Sequence, residues 1–246
     1  MRYRAVVAYD GTDFLGWQSQ SGRGRTVQET LSVAFSTVTR ESVAVVGAGR
    51  TDSGVHADGQ VIAFDLHGAL DQLDRVERSV NGVLPADVAV RDLAPADPGF
   101  DPRRHATRRA YKYRIWNASV RWPTERRTSW HVPWRLDGEA MDAVARVFVG
   151  QHDFASFQGA DKIPRPSVRR VDRSELVRDG ALLTYRIEAN AFARHMVRNI
   201  VGQLVEAGQG RCSVDDVRAI LAARDRGLAA PPAPPEGLFL EWVRYE

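Results

Sequence analysis

The chain has 246 residues, of which 43% are apolar, 26% charged and 9% aromatic; these proportions exclude a disordered or fibrous polymer. No apolar run approaches the roughly 20 residues that a membrane span needs, and the opening MRYRAVVAYDG enters a strand-like pattern instead of a signal peptide's apolar core, so a cytoplasmic protein is expected. The net charge is +3, yet residues 100–135 hold ten Arg/Lys against two acids, a local +8 that leaves the rest of the chain at −5. Codon bias accounts for arginine over lysine, not for this clustering, and an arginine-rich segment suits phosphate.

In chain order, residues 2–9 (RYRAVVAY) read as a strand broken by Asp10-Gly11. Thr26-Val27-Gln28-Glu29 has the capping-box form and opens a helix with Val27, Leu31, Ala34, Phe35 and Val38 at helical spacing. A strand over 42–46, a glycine-rich loop over 47–59, a strand over 60–66, a helix over 70–83 and a strand over 87–93 follow. The pattern then restarts. Residues 107–117 alternate, with Tyr111, Tyr113 and Ile115 on one face and Ala110, Lys112, Arg114 and Trp116 on the other. A Trp/Arg/Pro loop over 118–135, a helix over 137–148, paired strands over 169–177 and 182–189 around Asp179-Gly180, and a helix over 192–207 ending at Gly208 come next. A capped helix over 213–223, an irregular proline run over 229–235 and a strand over 237–245 close the chain. The single cysteine, Cys212, excludes an internal disulfide and a thiolate-rich zinc site; without an adjacent histidine it reads as a buried filler.

Two successive units of this kind predict an α+β fold: two α/β halves, residues 1–100 and 101–246, sharing a mainly antiparallel sheet with a central cleft. The chemistry concentrates in the loop GAGRTDSGVHADGQ at residues 47–60. A phosphate loop is one reading, but position 52 is Asp where a third glycine belongs, and no Lys-Ser/Thr follows. An aspartic protease is another, from Asp52-Ser53-Gly54, yet that chemistry needs two carboxylates sharing a proton. Asp52, His56 and Asp58 make a poor metal set. The remaining reading is a lone carboxylate, Asp52, beside Arg50 and serving a polyanionic substrate gathered by the basic segment.

The same residues resemble a known family. GAGRTDSGVHADGQV is similar to the signature loop of the tRNA pseudouridine synthase A family. The likeness continues in YDGTDFLGWQSQ (9–20), VQE (27–29), NGVLPAD (81–87), RAYKY (109–113), GQHDF (150–154), AFARHMVRNIVG (191–202) and PEGL (235–238). One departure is FDPRR at 100–104, where many members read FHARF: Arg103 keeps the arginine and Arg104 replaces an aromatic.

What this resemblance implies is an isomerase that converts uridine to pseudouridine at positions 38, 39 and 40 in the anticodon stem-loop of tRNA. It implies the pseudouridine synthase fold, no cofactor, no metal and a homodimer. Asp52 would be the catalytic carboxylate, acting either as a nucleophile on C1′ or as a base on C2′. Arg198 would pair with it, and Tyr111 would stack on the target base. Leu238 would contribute to an apolar floor, a role that an ordinary strand-core residue also describes. Arg50, Arg103 and Arg109 are the candidate substrate contacts, with Arg104, Arg108, Arg121, Arg126 and Arg127 as further phosphate candidates. Trp116, Trp122, Trp130 and Trp134 suit base stacking, packing or a subunit interface equally. The competing class is a non-catalytic RNA-binding module on the same scaffold.

Overall fold

A computed structural model of the chain describes residues 1–19, 24–159 and 166–245; Gln20, the last residue of the amino-terminal motif, lies outside them. Among the described residues are ten strands and five α-helices, in an α+β arrangement. Contacts divide the backbone into two compact units, residues 1–107 with 239–246, and residues 108–238.

In the first unit, strand β1 (Arg2–Tyr9) pairs antiparallel with both β3 (His56–Asp65) and β4 (Val88–Pro95). Its alternation buries Tyr3, Ala5, Val7 and Tyr9, as a period of two requires. The two-residue β2 (Val46–Gly47) also joins β3. Residues 43–45 do not make the longer strand predicted there, because Val43 and Val45 donate their N–H groups to the Ser36 and Ser32 hydroxyls of helix α1 (Val27–Thr39). The predicted capping box of α1 is absent too: the Thr26 hydroxyl makes no cap bond. The first N–H groups of α1 go instead to the carbonyls of Gly16 and Trp17, at 3.2 and 3.1 Å, which satisfies the orphan donors without a side chain. Helix α2 (Leu73–Val83) covers β4.

The last strand, β10 (Leu238–Arg244), runs parallel to β3, Phe239 opposite His56 and Leu240 opposite Ala57. Residues 239–246 therefore group with the first unit, not with the second half of a chain cut at residue 100. Burial explains it: Phe239 and Leu240 are core residues. Residues 100–107 follow, since Thr107 N–H donates to Arg244 O at 3.0 Å and the Tyr245 hydroxyl to Pro102 O at 2.7 Å.

In the second unit the strand order is β5 (Arg108–Trp116), β9 (Leu182–Ala189), β8 (Val168–Asp179), β7 (Gly150–Asp153), all antiparallel. A two-residue β6 (Trp130–His131) lies parallel to the end of β5. Neither β6 nor β7 is legible in sequence, being two and four residues long. Helix α3 (Gly138–Val147) packs on β8 and on α4 (Met196–Gly208) and α5 (Val214–Ala223). Asp137 caps α3 through the N–H groups of Glu139 and Ala140, and Ser213 with Asp216 forms a complete capping box on α5. Helix α4 begins four residues later than its periodicity predicts, because His195 takes a left-handed φ of 58°. Cys212 is only half-buried. Burial raises its pKa above the ordinary thiol value, and its sulfur accepts from Gln203 Nε2 at 3.0 Å.

Candidate active site

Asp52 sits half-buried in the loop between β2 and β3, and the residues around it are fixed from both sides. On one side Gln60, wholly buried on β3, donates its amide N–H to Gly49 O at 2.9 Å and accepts the Gly49 N–H at 3.3 Å. On the other, the segment after β1 wraps the loop. Trp17 N–H donates to Thr51 O at 3.0 Å, the Thr51 and Tyr9 hydroxyls share a 2.8 Å bond, and Ser53 donates to Phe14 O at 3.0 Å. Asp52 O accepts from Val55 N–H at 3.2 Å, closing a turn at Gly54, whose φ is 79°.

Two glycines make this wrapping possible. A Cβ on Gly11 would lie 2.0 Å from Val55 O, and one on Gly16, whose φ is 96°, 2.8 Å from Thr51 O. The sequence motif at 9–17 and the loop at 47–60 are thus one structural object. His56 Nδ1 lies 3.0 Å from the Gly11 backbone nitrogen and 3.2 Å from Asp10 Oδ1, so the buried ring braces the loop, stacked on Phe239 at 4.5 Å. Arg50 and Arg103 are exposed in this unit. In the departing FDPRR segment, the Asp101 carboxylate accepts the N–H groups of Arg103 and Arg104 at 2.8 and 2.9 Å, and the Arg104 bond is the main cause holding its pKa below the usual carboxylate value.

The other candidates belong to the second unit. Tyr111 is half-buried on β5, with the Phe192 ring edge-on at 4.9 Å. Arg109, also on β5, donates to Asn190 O at 3.0 Å and so ties the strand to the turn that carries Phe192. Arg198 lies in the first turn of α4; its Nε donates to Ala233 O at 2.7 Å and its own carbonyl accepts Ala233 N–H at 2.9 Å. Leu238 is buried at the start of β10. Tyr113 is buried as well, and its hydroxyl donates to Pro234 O at 2.8 Å. Burial raises its pKa well above the ordinary tyrosine value, Glu236 adds to the rise, and the positive charge of Arg198 opposes it.

Within the basic segment, Arg114 pairs with Glu125 at 2.9 Å and Arg108 with Asp172 at 3.2 Å, so both have structural partners. Arg121, Arg126 and Arg127 are exposed. Trp122 and Trp134 are exposed too, with Trp116 and Trp122 6.3 Å apart. Among the described residues no group of three or more His, Cys, Asp or Glu is placed to hold a metal ion, and no helix is long and apolar enough to cross a membrane.

A sequence profile described as tRNA pseudouridine synthase matches residues 5–103 and 144–246. The chain belongs to the tRNA pseudouridine synthase family. It is similar to tRNA pseudouridine synthase A of Geobacter sulfurreducens, 40% identical over 242 residues and 98% of each chain. It is 42% identical over 246 residues to that of Myxococcus xanthus, covering 99% of this chain and 92% of the relative, and 41% identical over 247 residues to that of Sinorhizobium fredii, covering 99% of both. The synthase profile spans Arg50, Asp52, Arg103, Arg198 and Leu238, whereas Arg109 and Tyr111 fall in its gap and are covered only by the full-length relatives.

Three parts of this synthase's architecture are missed by reading residues one at a time. Phe192 touches Tyr111, Gln28 ties Gln18 and Ser19 to Val45 O with bonds of 2.7 to 3.0 Å, and the proline run serves as the partner of Arg198. The Gly-x-x-x-x-Gly-Trp spacing at 11–17 and the four prolines at 231–235 were the available signals: the first marks close backbone approach, the second a stiff extended segment.

Proposed function

We propose that this chain isomerises uridine to pseudouridine at positions 38, 39 and 40 of the anticodon stem-loop of tRNA, with Asp52 as the catalytic carboxylate. The observation that carries the reading is the construction around Asp52: a half-buried carboxylate whose loop is bonded on both flanks by Trp17, Tyr9, Phe14 and Gln60, in a chain about 40% identical along its length to proteins named tRNA pseudouridine synthase A. Preorganisation of this kind suits a group that must meet a reacting carbon at a fixed distance.

The reaction moves uracil from an N1 to a C5 attachment on the same ribose. The C1′–N1 bond breaks with its electron pair going to the base, and either the Asp52 carboxylate forms a bond to C1′ or it takes the C2′ proton to leave a glycal. The freed base turns, C5 bonds to C1′, the carboxylate is released or the C2′ proton returned, and the C5 proton leaves to solvent while N1 takes up a proton, so the product is an isomer of the substrate. A uridine in a stem must first be drawn out of its stack. Tyr111 offers a ring face for it, and Arg198 stabilises the Asp52 carboxylate. Arg50, Arg103 and Arg109 contact the RNA backbone, and Leu238 helps exclude water. No cofactor takes part, and the enzyme works in the cytoplasm as a homodimer.

The test is tritium release from tRNA labelled at C5 of uridine. Asp52→Asn should lower release by at least about 10³-fold while tRNA affinity changes by less than about threefold. Release at the wild-type rate from Asp52→Asn would overturn the assignment of that carboxylate, and no release from the unaltered protein would leave an RNA-binding module.

A further inference from the structure

The residues between α5 and β10 form a strap laid along α4, and the side chains that fasten it, Arg226, Asn199 and Gln203, have no part in the chemistry above. Arg226 donates to Ala229 O at 2.8 Å and to Ala230 O at 3.0 Å, and the same guanidinium donates to Asn199 Oδ1 at 3.0 Å. Asn199, almost wholly buried, is itself fixed by donating to Phe157 O at 2.7 Å. One turn on, Gln203 Oε1 accepts Ala230 N–H at 3.0 Å. Between them Gly202 admits the strap, because a Cβ there would stand 2.1 Å from Pro231 O. The far end of the strap holds Arg198 through both Ala233 bonds and Tyr113 through Pro234 O, with Gly237 lying against the Tyr113 ring.

We propose that Arg226 is a positioning residue for Arg198. Between the Arg226 anchor at 229–230 and Ala233 lie Pro231 and Pro232, whose φ is set by their rings, so the anchored segment arrives at Ala233 in one place. Guanidinium recognition is directional: a bond through Nε to a backbone carbonyl fixes the plane of the fork. Arg226 thus sets the orientation of Arg198 through the strap, without touching substrate. Were it only a stability contact, its loss would lower the melting temperature and leave turnover per folded molecule unchanged.

This rests on the reading of Arg198 as the partner of Asp52, and the experiment separates the two. Five proteins are compared in single-turnover tritium release and in tRNA binding: wild type, Arg226→Met, Arg226→Lys, Arg198→Lys and the double variant Arg226→Met with Arg198→Lys. Arg226→Met should lower the rate at saturating tRNA by about 10- to 100-fold with affinity within about threefold. Arg226→Lys, which keeps a cation but cannot span three acceptors, should recover part of the rate. In the Arg198→Lys background Arg226→Met should cost almost nothing further, since both act through one group. A wild-type rate for Arg226→Met, or full additivity in the double variant, would overturn the proposal while leaving the role of Arg198 intact. A wild-type rate for Arg198→Lys would instead defeat the reading of Arg198 as the partner of Asp52. If Arg226→Met does not fold, Arg226→Lys alone and combined with Arg198→Lys is judged by the same criteria.

Discussion

The two regions that present Asp52 and Arg198 reach rigidity by opposite routes. Asp52 stands on a loop held by another loop: its flanks are fixed by backbone groups of residues 14–17 and by the Gln60 amide, with glycines where the two chains touch. Arg198 stands on a helix whose face is almost continuously buried, and its backbone needs no support; what is held is the guanidinium, by a proline strap. A carboxylate with two rotatable side-chain bonds is placed well once its backbone is placed. An arginine with four is not, and needs an acceptor beyond its own helix.

The sharpest way to break this comparison is to add one carbon to each close approach. Gly11→Ala sets a Cβ 2.0 Å from Val55 O, backbone against backbone. It should cost about 2–3 kcal/mol of stability and about 100-fold in turnover, read by thermal melting and tritium release. Gly202→Ala meets Pro231 O at 2.1 Å, but the strap can lift toward solvent; turnover should fall about 10-fold or more with a visibly smaller loss of melting temperature. Equal losses of stability in the two variants would mean that the strap is as integral to the fold as the loop cradle. Gln60→Met removes both bonds to Gly49 without emptying the space, and should cost about 1–2 kcal/mol with a proportionate loss of rate in the same assays. The smallest effect is expected for Tyr111→Phe, which keeps the ring face and its contact with Phe192. Affinity for tRNA should change by less than about threefold, and a larger loss would assign the hydroxyl, not the face, to binding.

Much of the candidate site was legible before any coordinates. The Asp52 loop announces itself by glycines around ionisable groups, whereas Arg198 is named only by resemblance to the family's helix motif. The helix over 213–223 was found with its cap, because a Ser side chain reaching an N–H three residues on is local chemistry. The failures have physical reasons. At Thr26 the same reasoning predicted a side-chain cap, but the carbonyls of Gly16 and Trp17 took the helix's first donors. The strand over 42–46 shrank to two residues because serines of α1 captured its N–H groups. The proline run read as irregular because no local pattern organises it; its partners lie on α4, on β5 and at Arg226.

By itself the sequence determined the α+β class, nearly every element and the family. These follow from turn residues, periodicity and motif spacing, which act over a few positions. Only the tertiary structure decided that residues 9–17 cradle residues 47–60, that the final strand joins the first unit alongside β3, and that a strap at 229–235 holds an arginine more than 30 residues earlier. Such pairings are chosen by which distant surfaces bury Phe239 and Leu240 and satisfy buried amides, and no local pattern encodes that choice.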